Sequence, residues 1–327
     1  MSIKIIKSGQ LTTIQDFGRT GYRDAGIGPG GAMDAFACRV ANYLVGNEDQ
    51  FAVIEMRFPA PEILFMQDAL IAITGADLSA SINNDPLPIW RPILAKKDSV
   101  LSFKNAVNGS WAYIAVAGGL KLDPWLGSHS TNLVAHAGGY QGRSFQKGDI
   151  IKCNENNLNP DNIKKLNGRL SEKEIIKIYQ PANTIRCLPS VEWERMDEAS
   201  MDKFQSAEFL MATKSDRMGY RFSGEAMQLK EPEELVSSPV DIGTVQLLPD
   251  GNIVVLMADH QTTGGYPRIA SVIKADLPKL AQLRPGENIR FTLITRDEGE
   301  TILLDMEQSL KEIKAGCQLN IEKFSRP

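Results

Sequence analysis

The strongest constraint on the fold is a series of short apolar runs that are separated by turn-forming residues. These runs cover residues 52–56, 63–66, 70–74, 100–103 and 111–116, and a run at 184–188 restarts the pattern. Because the intervals are short and few helical patterns intervene, the sequence favours an antiparallel barrel or sandwich over repeated βαβ units. We therefore expect a mainly β fold, a β-rich member of the α+β class.

Two segments have the apolar period of a helix instead. The first is defined by Met33, Phe36, Ala37, Val40, Ala41 and Leu44, and Gly46-Asn47 is expected to stop it. The second is defined by Ile302, Leu303, Met306, Leu310 and Ile313, and it is expected to end at Gly316.

The length of the chain predicts two domains. A chain of 327 residues exceeds one typical domain and can bury two cores. Residues 153–168 contain six asparagines and few large apolar side chains, which is typical of a linker or long surface loop. We place the first domain at 1–168 and the second at 169–327.

Two short motifs occur once in each predicted domain and in the same order. The pattern RxGYR covers residues 19–23 and 217–221, with Asp16 and Asp216 just upstream. Later, Lys-Gly-Asp-Ile-Ile at 147–151 has a counterpart in Pro-Gly-Glu-Asn-Ile at 285–289. The matching order favours two related barrels.

Composition restricts the partners. The net charge of -4 leaves no basic footprint, which argues against nucleic acid or an anionic membrane as the main partner. No apolar stretch approaches the roughly 20 residues of a spanning helix, and the first residues alternate as in a strand rather than a signal peptide. We therefore expect a cytoplasmic protein with small-molecule or protein partners.

The sequence does not indicate a metal or a covalent cofactor. Its four cysteines are widely spaced and its three histidines lack the spacing of a helical metal site. The glycine-rich loop at 26–31 matches neither standard phosphate-binding motif. The segment Glu225-Ala226-Met227-Gln228-Leu229 imitates a biotin-attachment loop, but Gln228 takes the place of the modified lysine, so no covalent biotin is expected.

A polar cluster follows the apolar run 254–258. It consists of Asp259, Gln261, Thr262, Thr263, Gly264, Gly265 and Tyr266. A strand end holds such groups rigidly, and the two glycines let backbone approach a ligand. In a strand alternation His260 points away from Asp259, so we expect it to pack. An ordinary strand-to-loop exit is the alternative that local chemistry leaves open.

Six sequence blocks carry a family resemblance. They lie at 11–19, 31–34, 41–47, 127–128, 215–221 and 258–266. In this order they resemble the signature blocks of the allophanate hydrolase subunit 2 family, also described as the A and B domains of biotin-dependent carboxyltransferases. The resemblance implies two cyclophilin-like β-barrel domains with a polar cleft between or beside them.

The resemblance also implies an activity and partners. Family members include the C subunit of bacterial 5-oxoprolinase, the carboxyltransferase part of urea carboxylase, and the antagonist of a sporulation-kinase inhibitor. A free-standing chain is most similar to the 5-oxoprolinase form, which implies opening of the 5-oxoproline lactam to L-glutamate. The 5-oxoprolinase subunits A and B would be its partners and ATP its co-substrate. The alternatives are a non-catalytic regulator that binds a kinase-inhibitor partner, and a carboxyltransferase that acts on a urea-like amide.

Activation of a lactam carbonyl requires cations for phosphate oxygens and carboxylates for proton handling. The expected catalytic carboxylates are Asp16, Asp216 and Asp259. The expected substrate-binding residues are Gln15, Arg19, Arg217, Tyr220, Arg221, Gln261, Thr262, Thr263, Gly264, Gly265 and Tyr266. Local salt bridges or turn caps are the alternative for the Asp–Arg pairs, and a hydroxyl-rich turn is expected around Ser128 and Ser130. If Asp259 is catalytic, Asp259→Asn should lower activity and leave the melting temperature unchanged.

Overall fold

The computed structural model describes residues 1–155, 177–231 and 235–325. The strands are β1 Ser2–Lys7, β2 Thr12–Gln15, β3 Val53–Met56, β4 Glu62–Phe65, β5 Ala69–Asp77, β6 Ala80–Ile82, β7 Asp85–Pro86, β8 Pro92–Ala95, β9 Val100–Phe103, β10 Asn108–Val116, β11 Ile150–Lys152, β12 Thr184–Pro189, β13 Phe209–Met211, β14 Gly219–Ser223, β15 Ser238–Pro239, β16 Thr244–Leu247, β17 Ile253–Leu256, β18 Thr263–Gly264, β19 Arg268–Val272 and β20 Asn288–Leu293. The helices are α1 Ala35–Leu44, α2 Glu198–Ser206, α3 Leu277–Ala281 and α4 Arg296–Ser325, with 3-10 turns at Arg23–Ala25, Trp193–Arg195 and Lys274–Asp276.

The chain divides into two compact units. The first unit comprises Met1–Arg19, Gly30–Glu172 and Gln308–Pro327, and the second comprises Thr20–Pro29 and Lys173–Glu307. The predicted linker at 153–168 and the boundary at residue 168 fall mostly outside the described residues. That boundary stays a prediction.

The first unit contains two β-sheets. The six-stranded sheet has the order β11-β1-β4-β9-β6-β7, and the five-stranded sheet has the order β2-β3-β10-β5-β8. Both sheets contribute to one buried cluster, for example Ile3 and Ile63 from the first sheet and Ile54 and Ile114 from the second. The alternation of apolar and polar residues along these short strands therefore forms a core in which both sheets take part.

Helix α1 confirms the first helix prediction. It packs against β5 and β10, and it buries Phe36, Val40 and Leu44. Asp34 begins the helix as its N-cap, since its side chain accepts a hydrogen bond from the amide of Ala37 at 2.9 Å.

The second unit contains a closed barrel with the strand order β12-β19-β16-β17-β14-β13-β20. Strand β12 closes the barrel by pairing parallel to β20, as in Thr184↔Arg290, and antiparallel to β19. Phe222 and Phe291 belong to a buried aromatic cluster in which Phe204 and Phe291 stack at 5.0 Å. The predicted mainly β class is confirmed.

Helix α4 differs from its prediction, because it continues past Gly316 to Ser325. A glycine inside a helix costs about 1 kcal/mol relative to alanine, and the helix-forming residues around Gly316 offset that cost. Leu310 and Ile313 are buried as predicted. Lys314 of this helix forms an ion pair with Asp49, with Nζ 2.6 Å from Oδ1.

Of the two motifs that occur once in each predicted domain, only one has the same local structure in both places. Residues 217–221 run into strand β14, whereas residues 19–23 lie outside the strands and lead into a 3-10 turn, so the two RxGYR segments differ in local structure. The other motif, at 147–151 and 285–289, forms a similar turn in both places. Gly148 and Gly286 have φ of 98° and 89°, and each is followed by a strand.

The two glycine turns also share their side-chain support. The Asp149 carboxylate accepts the amide of Gln146 at 2.8 Å, and the Glu287 carboxylate accepts the amide of Arg284 at 2.9 Å. Arg143 donates hydrogen bonds of 2.7 and 2.8 Å to Asp149, so it supports the turn.

Candidate functional site

A pocket of about 490 Å³ lies on the barrel of the second unit. Its walls come from strands β14, β16 and β17 and from the segment that follows β17. The lining residues are Lys214, Asp216, Met218, Gly219, Arg221, Gln246, Leu248, Val254, Leu256, Gln261 and Tyr266. Four of these, Asp216, Arg221, Gln261 and Tyr266, are among the residues predicted from sequence.

Strand pairing explains which side chains reach the pocket. Gly219 pairs with Leu256, and Arg221 pairs with Val254, which in turn pairs with Gln246 on the next strand. Because directly paired residues point to the same face of a sheet, Arg221, Val254 and Gln246 form one row across three strands. Val254 and Leu256 give the pocket an apolar floor.

Tyr220 lies on the opposite face. It is fully buried opposite Val255, and its hydroxyl donates to the carbonyl of Ala281 at 3.0 Å. The structure therefore places Tyr220 in the packing of the barrel and not on the pocket, because the side-chain direction reverses at each residue of β14.

Gln246 is the most unusual polar residue of the pocket. Its side chain is 1% exposed, and its Nε2 atom has no hydrogen-bond partner within the described residues. Gly264 makes room for this amide, because a Cβ at that position would stand 2.6 Å from Nε2 of Gln246 and 3.4 Å from Nε2 of Gln261. The amides of Gln246 and Gln261 thus flank the same glycine.

Two cations lie at the pocket. The side chains of Lys214 and Arg221 are exposed and make no hydrogen bond or ion pair within residues 1–155, 177–231 and 235–325. The phenol of Tyr266 is also accessible, with the residue 46% exposed. Cations, amides and a phenol above an apolar floor suit a small, partly apolar anion.

Asp216 also lines the pocket, and it shapes the turn that precedes β14. Its Oδ1 accepts the amides of Met218 at 2.8 Å and Gly219 at 3.3 Å. Oδ1 of Asp216 therefore caps the turn, which is the alternative role that the sequence left open for this residue.

Asp259 is held by Arg217. The guanidinium donates from Nε to Oδ2 at 2.7 Å and from Nη2 to Oδ1 at 2.9 Å, and the carbonyl of Arg217 accepts the backbone amide of Asp259 at 2.8 Å. The side chain of Arg217 is 5% exposed, and that of Asp259 is 21% exposed. Both carboxylate oxygens of Asp259 accept hydrogen bonds from Arg217, and the catalytic role of Asp259 stays a prediction.

The rest of the polar cluster forms backbone structure. Thr263 and Gly264 constitute β18, which pairs with β15, and the carbonyl of Thr262 accepts the amide of Val240 at 3.2 Å. A Cβ on Gly265 would stand 3.3 Å from the carbonyl of Leu235. Thr262, Thr263 and Gly265 are thus close to the pocket in sequence without lining it.

His260 packs as predicted. It is 1% exposed, its Nδ1 lies 2.6 Å from the carbonyl of Gln261, and its Nε2 lies 3.8 Å from Asp241. Burial lowers the pKa of the imidazole below its usual 6.5, although Asp241 opposes this shift. Arg23 in turn binds Asp241 at 2.6 Å.

Asp16 organises a second polar cluster, which lies in the first unit. Its Oδ1 accepts the hydroxyls of Ser128 at 2.6 Å and Ser130 at 2.5 Å and the amide of Gly18 at 2.8 Å. Its Oδ2 accepts the amide of His129 at 2.6 Å. These contacts confirm a hydroxyl-rich turn, and they make Asp16 its central acceptor.

Arg19 belongs to the same cluster, and Gln15 precedes Asp16 in the chain. Arg19 donates to the carbonyl of Ser130 at 2.5 Å, and its guanidinium stacks 4.7 Å from the ring centre of Trp125. Gln15 donates to Thr13 at 3.0 Å. The single cleft that would join these residues to Arg217 and Arg221 stays a prediction.

Two glycines of the loop at 26–31 lie against protein backbone, which leaves no space for a phosphate beside them. A Cβ on Gly28 would stand 2.9 Å from the carbonyl of His260, and one on Gly31 would stand 2.9 Å from the backbone of Phe17. These glycines therefore face protein backbone. Among the described residues no group of three or more His, Cys, Asp or Glu is arranged to hold a metal, and no helix has the length and apolar content to span a membrane.

Comparison with known proteins identifies the family. The family model for the carboxyltransferase domain, subdomain A and B, matches residues 25–293. The chain belongs to this carboxyltransferase A and B family.

Two relatives are similar over nearly their whole length. The chain is 36% identical to the C subunit of 5-oxoprolinase from Haemophilus influenzae and 35% identical to that from Escherichia coli, in each case over 95% of this chain and 97% of the relative. Among solved structures, the K. lactis urea amidolyase superposes with a TM-score of 0.86 at 24% identity, over 95% of this chain and 20% of that protein. The last comparison shows a shared fold.

Proposed function

We propose that this chain is the C subunit of an ATP-dependent 5-oxoprolinase complex, which hydrolyses 5-oxo-L-proline to L-glutamate. The observation that carries the proposal is the similarity to two proteins that are named as this 5-oxoprolinase subunit, which extends over 97% of each. A match of this extent fits a subunit that works with separate subunits A and B.

The pocket on the barrel supports this function. A volume of about 490 Å³ accommodates a small molecule, and Lys214 and Arg221 supply positive charge for a carboxylate such as that of 5-oxo-L-proline. The amide of Gln246 offers the complement of an amide on the ligand.

ATP enters the proposal as a co-substrate of the complex. A lactam is a poor electrophile because its C–N bond shares the carbonyl electrons, so its opening is coupled to ATP. Gly28 and Gly31 of the loop at 26–31 pack on protein backbone, and we therefore assign no contact with ATP to these two glycines.

Reconstitution tests the proposal directly. This chain is co-expressed with subunits A and B from the same organism, and glutamate release from 5-oxo-L-proline is measured with and without ATP. We expect release only when ATP and all three chains are present. An equal rate without this chain would refute the proposal, and a stable complex without hydrolysis would favour the regulator, the alternative in which this chain binds a partner and lacks catalysis.

A further inference from the structure

We propose that the pocket over β14, β16 and β17 is a binding site for a small carboxylate that also contains an amide. Arg221 and Lys214 would bind the carboxylate, and Gln246 would bind the amide. This inference rests on the proposed function and assigns its substrate a place on this chain.

The positive end of the site is defined by Arg221. Arg221 lines the pocket and its side chain makes no hydrogen bond or ion pair in the described part of the chain, although it is one of the groups that lower the pKa of Asp250. In the same unit, Arg186, Arg217 and Arg268 each form an ion pair with a carboxylate. Lys214 lines the same pocket and its side chain makes no hydrogen bond or ion pair among the described residues, and Asp216 adds one carboxylate to the lining. A guanidinium binds a carboxylate with two parallel hydrogen bonds, and an ammonium adds a point charge.

The amide end of the site is defined by Gln246. A buried amide without a partner costs free energy, so such a group is expected where a ligand completes its hydrogen bonds. Gln246 is 1% exposed and lines the pocket, and its Nε2 lacks a partner in the described residues. Gly264 leaves the space that this amide occupies, because a side chain there would come within 2.6 Å of it.

The spacing of the two ends sets the size of the ligand. Arg221 and Gln246 both pair with Val254, so they lie on β14 and β16, the two strands that flank β17. Two strand spacings separate their Cα atoms by about 10 Å, a span that admits one small ring between the two side chains. The apolar floor of Val254 and Leu256 suits the methylene groups of such a ring.

Binding to the isolated full-length chain tests the site. Isothermal titration with 5-oxo-L-proline is compared with three probes: pyrrolidin-2-one, which lacks the carboxylate; L-proline, which lacks the lactam carbonyl; and inorganic phosphate. We expect 5-oxo-L-proline to bind most tightly, with each organic probe weaker by about tenfold or more, since each loses one set of hydrogen bonds.

Two variants localise the binding. Arg221→Gln removes the charge and is expected to weaken 5-oxo-L-proline binding about tenfold or more, with little effect on binding of pyrrolidin-2-one. Gln246→Leu is expected to weaken binding of both lactams without lowering the melting temperature, because it removes an unsatisfied buried amide. Gln246→Met serves if the leucine variant does not fold. The control Arg290→Gln alters an exposed pair with Glu208 and should bind as the wild type does.

Three results would overturn the inference: no binding of 5-oxo-L-proline, binding that Arg221→Gln and Gln246→Leu both leave unchanged, or tighter binding of phosphate at the same residues. The proposed function has a separate test in the reconstituted complex. Hydrolysis by a complex in which this chain fails to bind at the pocket would refute the inference alone. Binding by a chain whose complex fails to hydrolyse 5-oxo-L-proline would refute the function alone.

Discussion

Arg217 holds Asp259 through two hydrogen bonds, from Nε to Oδ2 at 2.7 Å and from Nη2 to Oδ1 at 2.9 Å. The guanidinium side chain is 5% exposed, so the pair lies at the edge of the barrel interior. In this geometry Asp259 serves as the ion-pair partner of Arg217.

We therefore expect Asp259→Asn to destabilise the chain. The substitution leaves a buried guanidinium without its counter-charge, at a cost of about 3 kcal/mol. Urea unfolding of the variant and the wild type measures the difference. A variant with wild-type stability would show that this ion pair does not stabilise the chain, and it would favour the sequence-based expectation that Asp259 is catalytic.

Asp16→Asn should cost much more stability than Asp216→Asn. Asp16 accepts four hydrogen bonds from the groups around it, two of them from Ser128 and Ser130. Hydrogen bonds to a charged group contribute about 1.5–3 kcal/mol each, so the loss at Asp16 should reach at least about 2 kcal/mol. Asp216 is exposed and caps a turn, a role that asparagine also performs, so its loss should stay below about 1 kcal/mol. Equal losses in thermal or urea unfolding would contradict the assignment of Asp16 as the centre of its cluster.

Gly264→Ala should disturb the pocket through Gln246. The added methyl would stand 2.6 Å from Nε2 of that residue, and overpacking of this kind costs about 1–3 kcal/mol. In the background Gln246→Ala the same substitution should cost less, and a double-mutant cycle measures the coupling. The control Gly316→Ala meets nothing within 4 Å and should stabilise the helix slightly. Additive losses at Gly264 and Gln246 would show that the two residues do not contact each other.

His260 should make the chain less stable in acid. Burial lowers its pKa below 6.5 in the folded state, so between that pKa and about 6.5 the unfolded chain binds the proton more readily. Stability therefore falls as the pH drops through 6.5, and the full loss is reached below the folded pKa. We expect His260→Gln to reduce the difference between urea unfolding at about pH 7.5 and about pH 5.5. The exposed control His136→Asn should keep the wild-type difference, and an unchanged difference in His260→Gln would rule out this source of acid sensitivity.

The regular elements could be predicted because their patterns are local. The helix face around Phe36 and Val40 and the strand before Asp259 follow from the period of apolar residues in short windows. The prediction that His260 packs is also confirmed, but His260 lies in the turn after β17 and not in a strand, so the reason for its burial differs from the predicted alternation. The two RxGYR segments differ in structure because a shared five-residue pattern does not fix the backbone. The turns at Gly148 and Gly286 are similar because positive φ and a carboxylate cap impose one geometry.

The site was predicted only in part because its residues meet through strand pairing. Gln246 is a polar residue between the buried Val245 and Leu247, a signal that sequence alone could have provided. Its position in one row with Val254 and Arg221 depends on the register of three strands, which a single sequence does not fix. Charge type alone also could not show that Arg217 is committed to Asp259 while Arg221 faces the pocket.

The KM for 5-oxo-L-proline of the reconstituted complex that contains Arg221→Gln in this chain tests whether the barrel pocket binds the substrate. If this chain is the C subunit and its barrel pocket binds the substrate carboxylate, the KM should rise about tenfold or more relative to the wild-type complex. The matched Arg290→Gln complex should keep the wild-type KM. An equal KM in the Arg221→Gln and Arg290→Gln complexes would contradict binding of the substrate at this pocket.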